Sequence, residues 1–219
     1  MKHIFAHPFL RRSVLVHIAL AGGLFLLAAC NQSLATFGES QSRALRSEWQ
    51  ATPLQNAWIY APNAQMLLAR RDGRISEQQI ALSNQTALPR DNFIYLRMIP
   101  GQSPGVMRLR DVLEQSGGLP EPFTEDDLQV MRTTEDAAGA LTWAEWSNGA
   151  GTTCVLAVRR MTVQTRVLPR NAGALDLLMR NCVRGSAQAA LEPASAGHVG
   201  QPARGTASRT LAPLAAPAP

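Results

Sequence analysis

The chain has 219 residues, a formal net charge of +5 and 46% hydrophobic residues. His3, His7 and His17 lie near the N-terminus and His198 near the C-terminus, and Lys2 is the only lysine, so residues 50–190 contain neither histidine nor lysine. That absence excludes Ser-His-Asp and Cys-His catalysis, lysine Schiff bases and histidine-ligated zinc from the body of the chain.

The first thirty residues have the layout of a bacterial lipoprotein signal. Lys2, Arg11 and Arg12 form a basic region, residues 13–27 are apolar, and Leu27-Ala28-Ala29-Cys30 closes the segment. Small residues at 28 and 29 let a peptidase close around the backbone, and the Cys30 thiol is the expected acceptor of a diacylglyceryl group. An uncleaved membrane anchor is the alternative reading of the apolar run. Arg11-Arg12 also fits a twin-arginine export signal. Cleavage before Cys30 leaves about 190 residues, a single-domain length, outside the cytoplasm and tied to a membrane by two or three acyl chains. Asn31, where an aspartate would favour inner-membrane retention, leans the localisation toward the outer membrane, facing the periplasm. Loss of the three leader cations leaves the mature chain only mildly basic, which does not support a nucleic-acid partner. Every basic residue other than Lys2 is arginine, a bias of the kind that a high-GC genome produces.

Residues 30–55 read as a polar tether, 56–191 as the folded domain and 192–219 as a disordered Pro/Ala-rich tail. At 57–61, Trp58 and Tyr60 alternate with Ala57, Ile59 and Ala61, which predicts a short strand. Strands are predicted at 65–71 and 74–82, joined at Asp72-Gly73, because glycine accepts the positive φ that a tight hairpin demands. The next strand, 92–98, places Phe93, Tyr95 and Arg97 on one face and Ile94, Leu96 and Met98 on the other.

The middle changes character. Residues 104–115 have helical spacing, with Ser103 as cap and Val106, Leu109, Val112 and Leu113 as the apolar stripe, ended by Gly117-Gly118. Thr124 before Glu125-Asp126-Asp127 is read as a polar loop leading into a strand at 128–133, with a capped short helix as the alternative. A second hairpin spans 140–146 and 152–161 around Asn148-Gly149. Residues 174–182 form the last strand and 186–191 a short helix. Cys154 and Cys182 pair as a disulfide in an oxidising compartment, closing a loop of about 29 residues. The whole is an α+β domain, mainly antiparallel sheet with two β-hairpins, one or two short helices and one disulfide.

Three stretches carry a resemblance to a known family. They are Leu67-Leu68-Ala69-Arg70-Arg71 with 77–82, then Asn92-Phe93-Ile94-Tyr95-Leu96-Arg97, then 154–161 with 175–182. Over about 65–191 the chain resembles the cellulose-biosynthesis protein N (BcsN) family of alphaproteobacteria. The resemblance implies an accessory role in cellulose or exopolysaccharide synthesis or export. It implies no catalytic residues.

Two classes of function follow. A non-catalytic, lipid-anchored envelope protein would contact glycan or subunits of a cellulose synthase complex, with Trp58, Tyr60, Trp143 and Trp146 as stacking candidates. Strand aromatics also serve as core, and Trp143 and Trp146 fall on opposite faces of one strand. Arg159 and Arg160 are candidate contacts to an acidic polymer. The alternative is a carbohydrate-active enzyme with two converging carboxylates drawn from Glu125, Asp126, Asp127, Glu135, Asp136 and Glu145. A pilus or secretion accessory lipoprotein is a third reading. No metal or cofactor is implied by any of these motifs.

Overall fold

A computed structural model describes residues 48–101, 105–169 and 171–200. Cys30 and its leader, Ser103, Pro104 and the segment beyond 200 lie outside the described residues. Eight strands form one antiparallel sheet: β1 (Gln50–Thr52), β2 (Ala64–Asp72), β3 (Ile75–Leu82), β4 (Asn92–Pro100), β5 (Arg132–Asp136), β6 (Gly139–Ser147), β7 (Thr152–Thr162) and β8 (Ala172–Arg184). Their order is β1-β2-β3-β4-β8-β7-β6-β5. Two four-stranded meanders thus meet along their last strands, β4 against β8, with Leu96 opposite Leu177. The α+β class, the dominant antiparallel sheet and both hairpins agree with the sequence expectation.

Local chemistry explains most of these elements. Gly73 takes φ +57° in the turn between β2 and β3, where a β-carbon would be strained. Asn148 Oδ1 accepts from the N–H groups of Ala150 and Thr152 at 2.8 and 3.1 Å, which shapes the turn between β6 and β7. Helix α1 (Leu109–Ser116) begins five residues later than predicted, because Arg108 is extended. Gly117 ends it in the left-handed region, and Gly118 N–H closes onto the Leu113 carbonyl at 2.7 Å.

The middle of the sheet, above all β7 and β8, is buried on both faces, so two cores form. On one, the tail face, Ile80, Ile94, Leu96, Val155, Ala157, Leu175, Leu177 and Met179 pack under residues 57–61 and the chain after β8. On the other, the crossover face, Tyr95, Leu156, Val158 and Leu178 pack under α1, Phe123 and Leu128. The segment 105–131 crosses over this second face on its way from β4 to β5. Cys154 and Cys182 are directly opposed in register on β7 and β8 and form a disulfide, with their Cα atoms 3.9 Å apart. The bridge therefore locks two neighbouring strands inside the crossover-face core.

Four expectations change. Residues 125–127, read as loop, and the first residues of the strand predicted at 128–133 form helix α2 (Glu125–Gln129), and the strand begins later, as β5 (Arg132–Asp136). Thr124 donates its backbone N–H and its hydroxyl to Asp127 Oδ2 at 2.7 and 2.8 Å, which fixes the first turn. Residues 57–61 are not a strand. Gln78 holds that backbone instead, accepting from Trp58 N–H and donating to the Asn56 carbonyl, both at 2.9 Å. The tether does not extend to 55, because β1 pairs with β2 and a 3-10 turn follows at Leu54–Asn56.

The fourth change is the tail. After α3 (Ala187–Leu191), residues 192–200 continue as a 3-10 turn and α4 (Ala196–Val199) rather than disorder. The Arg159 guanidinium, on a fully buried side chain, binds the Asp136 carboxylate at 2.5 and 3.2 Å. It also donates to the carbonyls of Ala194 and Gly139 at 2.7 and 2.6 Å. Asp136 in turn accepts Ala196 N–H at 3.0 Å. Arg166 donates to the Val199 carbonyl at 2.5 Å and to that of Trp58 at 2.9 Å, and Asn181 donates to the Ala190 carbonyl at 2.8 Å. Small side chains at Ala190 and Ala194 let this backbone lie close to the sheet, where both are fully buried. Composition alone hides this, because the ordering donors lie 30 or so residues upstream.

The Asp136 carboxyl sits below the usual carboxylate range: burial opposes ionisation, but the bonds from Arg159, Ala138 N–H and Ala196 N–H outweigh it. A depressed carboxyl stabilises the fold fully above its unfolded value of about 3.9 and ceases to do so as pH falls through the lower, folded value. Asp136→Asn is expected to cost about 3 kcal/mol, since it leaves the buried Arg159 cation without its counter-charge. Limited proteolysis should then cut within 192–200, and acid should loosen the same segment in the unaltered chain. Protection of that segment equal to the unaltered chain's at neutral pH would contradict the clamp.

Candidate functional site

The aromatic candidates do not converge. Trp143 lies in the tail-face core, 8% exposed, and Trp58 packs partly buried against the same core. Trp146 packs against the opposite, crossover-face core. Tyr60 is the exposed member, and its ring stacks on His198 with centroids 5.7 Å apart. Arg132 lies over the Trp143 ring with its guanidinium carbon 5.3 Å from the centroid. No flat platform of the four rings exists.

Four of the six carboxylate candidates are engaged in caps or ion pairs. Asp127 caps α2, Asp136 belongs to the Arg159 clamp, Glu145 pairs with Arg132 at 3.4 Å and Glu125 with Arg110 at 3.7 Å. Arg159 is buried and consumed by the clamp, so it does not reach a polymer. Arg160 is 15% exposed and engaged in a different array.

That array is a row of charged side chains across the sheet. On the crossover face, Arg70 of β2 is in register with Glu77 of β3, Glu77 with Arg97 of β4, Arg97 with Asp176 of β8, and Asp176 with Arg160 of β7. Five side chains of alternating sign thus cross five adjacent strands in one row. Opposite charges at directly paired positions attract, and the partly dry surroundings strengthen them. Trp49, beside β1, prolongs the row, since the Arg70 guanidinium carbon lies 4.5 Å from its ring centroid.

The pairing within the row is uneven. Glu77, with its side chain 6% exposed, accepts hydrogen bonds from Arg70 Nε and the Tyr95 hydroxyl. Asp176, 2% exposed, takes a bidentate pair from Arg160 at 2.5 and 2.7 Å. Arg160 reaches on to the Gly105 carbonyl at 2.6 Å, which ties the crossover segment to the row. Both carboxylates are therefore engaged by outer arginines. Among the described residues, the central Arg97 has only the 4.0 Å approach of its Nε to Glu77, and that buried nitrogen has no hydrogen-bond partner among them.

Beside the stretch of the row from its centre at Arg97 to Arg160 the surface opens into a cavity of about 470 Å³. Arg97, Asp176 and Arg160 form its floor, while Arg74 from the turn before β3, and Arg108 and Asp111 at the start of α1, stand around it. Four guanidinium groups face two carboxylates there. The arrangement suits recognition of a negative group by planar, multi-donor cations. Among the described residues, no group of three or more His, Cys, Asp or Glu side chains is placed to hold a metal ion. No helix among them is long and apolar enough to cross a membrane.

Sequence reasoning missed the row. A signal was present at Asp176, a carboxylate inside the apolar run Leu175-Asp176-Leu177-Leu178, since a charge on a buried strand demands a partner. Its partners could not be named without the strand order, which joins residues 16 and 79 positions away. The search of family models finds no match, and neither a curated protein nor a solved structure matches the chain.

The chain has two tyrosines, Tyr60 and Tyr95. Burial, followed by the hydrogen bond to Glu77 and its negative charge, pushes the Tyr95 phenol well above its ordinary value. A group raised in this way stabilises the fold below its unfolded value of about 10 and loses that contribution as pH rises through the folded value. Spectrophotometric titration is expected to show half of the tyrosinate absorbance delayed to strongly alkaline pH. Glu77→Gln should bring that half earlier. Two tyrosines ionising together in the unaltered protein would contradict the buried end of the row.

Proposed function

We propose that this chain is a non-catalytic, lipid-anchored lipoprotein of the bacterial cell envelope. Its role would be that of an accessory factor in cellulose or related exopolysaccharide production. The observation that carries the reading is the segment Leu27-Ala28-Ala29-Cys30 after a basic and then an apolar run. The Cys154–Cys182 disulfide supports it, because such bridges persist in oxidising compartments. The resemblance of 65–191 to the BcsN family supplies the process. The absence of histidine and lysine from 50–190, and the engagement of Asp127, Asp136 and Glu145 in a cap and ion pairs, favour binding over catalysis.

An anchored accessory protein needs a stable body at the end of its tether, and the bridge contributes to that. Closing a loop of 28 residues' separation stabilises by roughly 3–4 kcal/mol in the chain-entropy account. Both sulfurs are buried.

The test is genetic and chemical. Deletion of the gene should lower cellulose-dependent dye binding, with rescue by the unaltered gene and not by Cys30→Ala. Mass spectrometry of the membrane fraction should find Cys30 acylated and the other two cysteines inert to alkylation until the protein is unfolded and reduced. A strain that makes cellulose equally well without the gene removes the exopolysaccharide role. An unmodified Cys30 removes the anchor.

A further inference from the structure

The cavity beside Arg97, Asp176 and Arg160 of the charge row is more than a gap between a sheet and a helix. Its volume, about 470 Å³, lies in the range of small-molecule sites. Its walls join four arginines and two aspartates to apolar residues such as Ile99 and Val112. The cations are not equivalent. Arg160 is committed to Asp176. Arg97 is 19% exposed, lies between two carboxylates already held by other residues, and carries a buried N–H with no acceptor among the described residues. A buried cationic donor without an acceptor is costly, and native structures supply acceptors for nearly all such groups. Arg74 and Arg108 are exposed at the mouth, and no ion pair of either is formed among the described residues.

We propose that this cavity is a binding site for a small oxyanion, a phosphate or carboxylate group, held by Arg97 with Arg74 and Arg108 closing around it. The row is built with three arginines and two carboxylates, so one further negative group at its centre balances the surplus cation. Arginine suits this task because its planar fork matches two oxygens of a carboxylate or phosphate at once. Asp111 and Asp176 at the same cavity restrict the ligand to one whose remaining surface is neutral or hydrogen-bond donating, such as a hydroxylated sugar or glycerol unit. The proposal stands on the geometry of the cavity and does not require the envelope role.

Isothermal calorimetry on the full chain in detergent tests it with three probes: inorganic phosphate, glycerol phosphate and glucuronate. These separate free phosphate, a lipid-headgroup fragment and an acidic sugar. At least one probe should bind once per chain, more weakly as salt rises. Arg97→Gln should weaken that binding about tenfold or more, the usual effect of losing one charge-assisted bond in a dry site. Arg97 is partly buried, so its loss also risks the fold. The double variant Arg74→Gln/Arg108→Gln changes only exposed side chains and should weaken binding by a similar factor while leaving the melting temperature unchanged. If Arg97→Gln fails to fold, the double variant decides alone. Binding that persists unchanged in the double variant, or no heat with any of the three probes, overturns the site.

Discussion

The seam between β4 and β8 is the constraint on which the molecule rests. Each four-stranded meander has a free edge that must be covered or paired, and the two last strands pair with each other over eight registered positions. Once they do, the chain from β4 to β5 has to travel over one face of the sheet, because β8 occupies the place beside β4. That crossover, 105–131, brings α1 and α2 onto the face and builds the core around Tyr95, Leu156 and Leu178. The other face is left to residues 57–61 and the chain after β8. A sheet whose middle is buried on both sides follows, and with it the need to satisfy every polar group that either covering layer brings along.

Arginine meets that need throughout. Arg180 donates to the carbonyls of Glu121, Asp91, Arg90 and Pro89 and to the Asn92 amide oxygen, so one guanidinium anchors both the loop before β4 and the crossover. Arg166 joins the two segments that cover the tail face, and Arg159 joins the tail to the β5–β6 hairpin. Burial lowers the basicity of Arg166, and of Arg180 with help from neighbouring Arg90, yet each stays a cation because of its very high starting value. A lysine in any of these places would offer three donors at a single point and would neutralise more readily when buried. The arginine bias of this chain is therefore matched to a structural task, whatever its genomic origin.

How legible this was depends on range. Elements decided by neighbours were readable: the Gly73 turn, the Asn148 turn, the stop of α1 at Gly117, and the opposite faces of Trp143 and Trp146. The Cys154–Cys182 bridge was also readable, since only two cysteines follow Cys30. Elements decided by distant donors were not. Residues 57–61 alternate like a strand, but their backbone is satisfied by the Gln78 side chain and by Arg166, so no ladder forms. Residues 192–200 have the composition of a disordered tail, and they are ordered by Arg159, Asp136 and Arg166. The site suffers most from this limit. Each member of the charge row is an unremarkable single residue in sequence, and only the strand order assembles them.

The row also answers a question that apolar patterning leaves open. Alternation forbids a slip of one residue between paired strands, because every side chain would change face. A slip of two keeps each face apolar: Leu96 would still meet an aliphatic residue of β8 if it faced Leu175 or Met179 instead of Leu177. The same slip would move Arg97 from Asp176 to Ala174 or Leu178 and leave buried charges of both signs without partners, a cost of several kcal/mol. It would also separate Asn92 from the Cys182 backbone, which it binds through both amide atoms at 2.8 and 2.9 Å. On the far side of β8 the disulfide imposes the same registration on β7. Buried polar groups thus select one even register among several that the hydrophobic effect would accept. A charge row that serves this purpose needs balanced partners at every rung, and the surplus cation at its centre is the one rung that register alone does not explain.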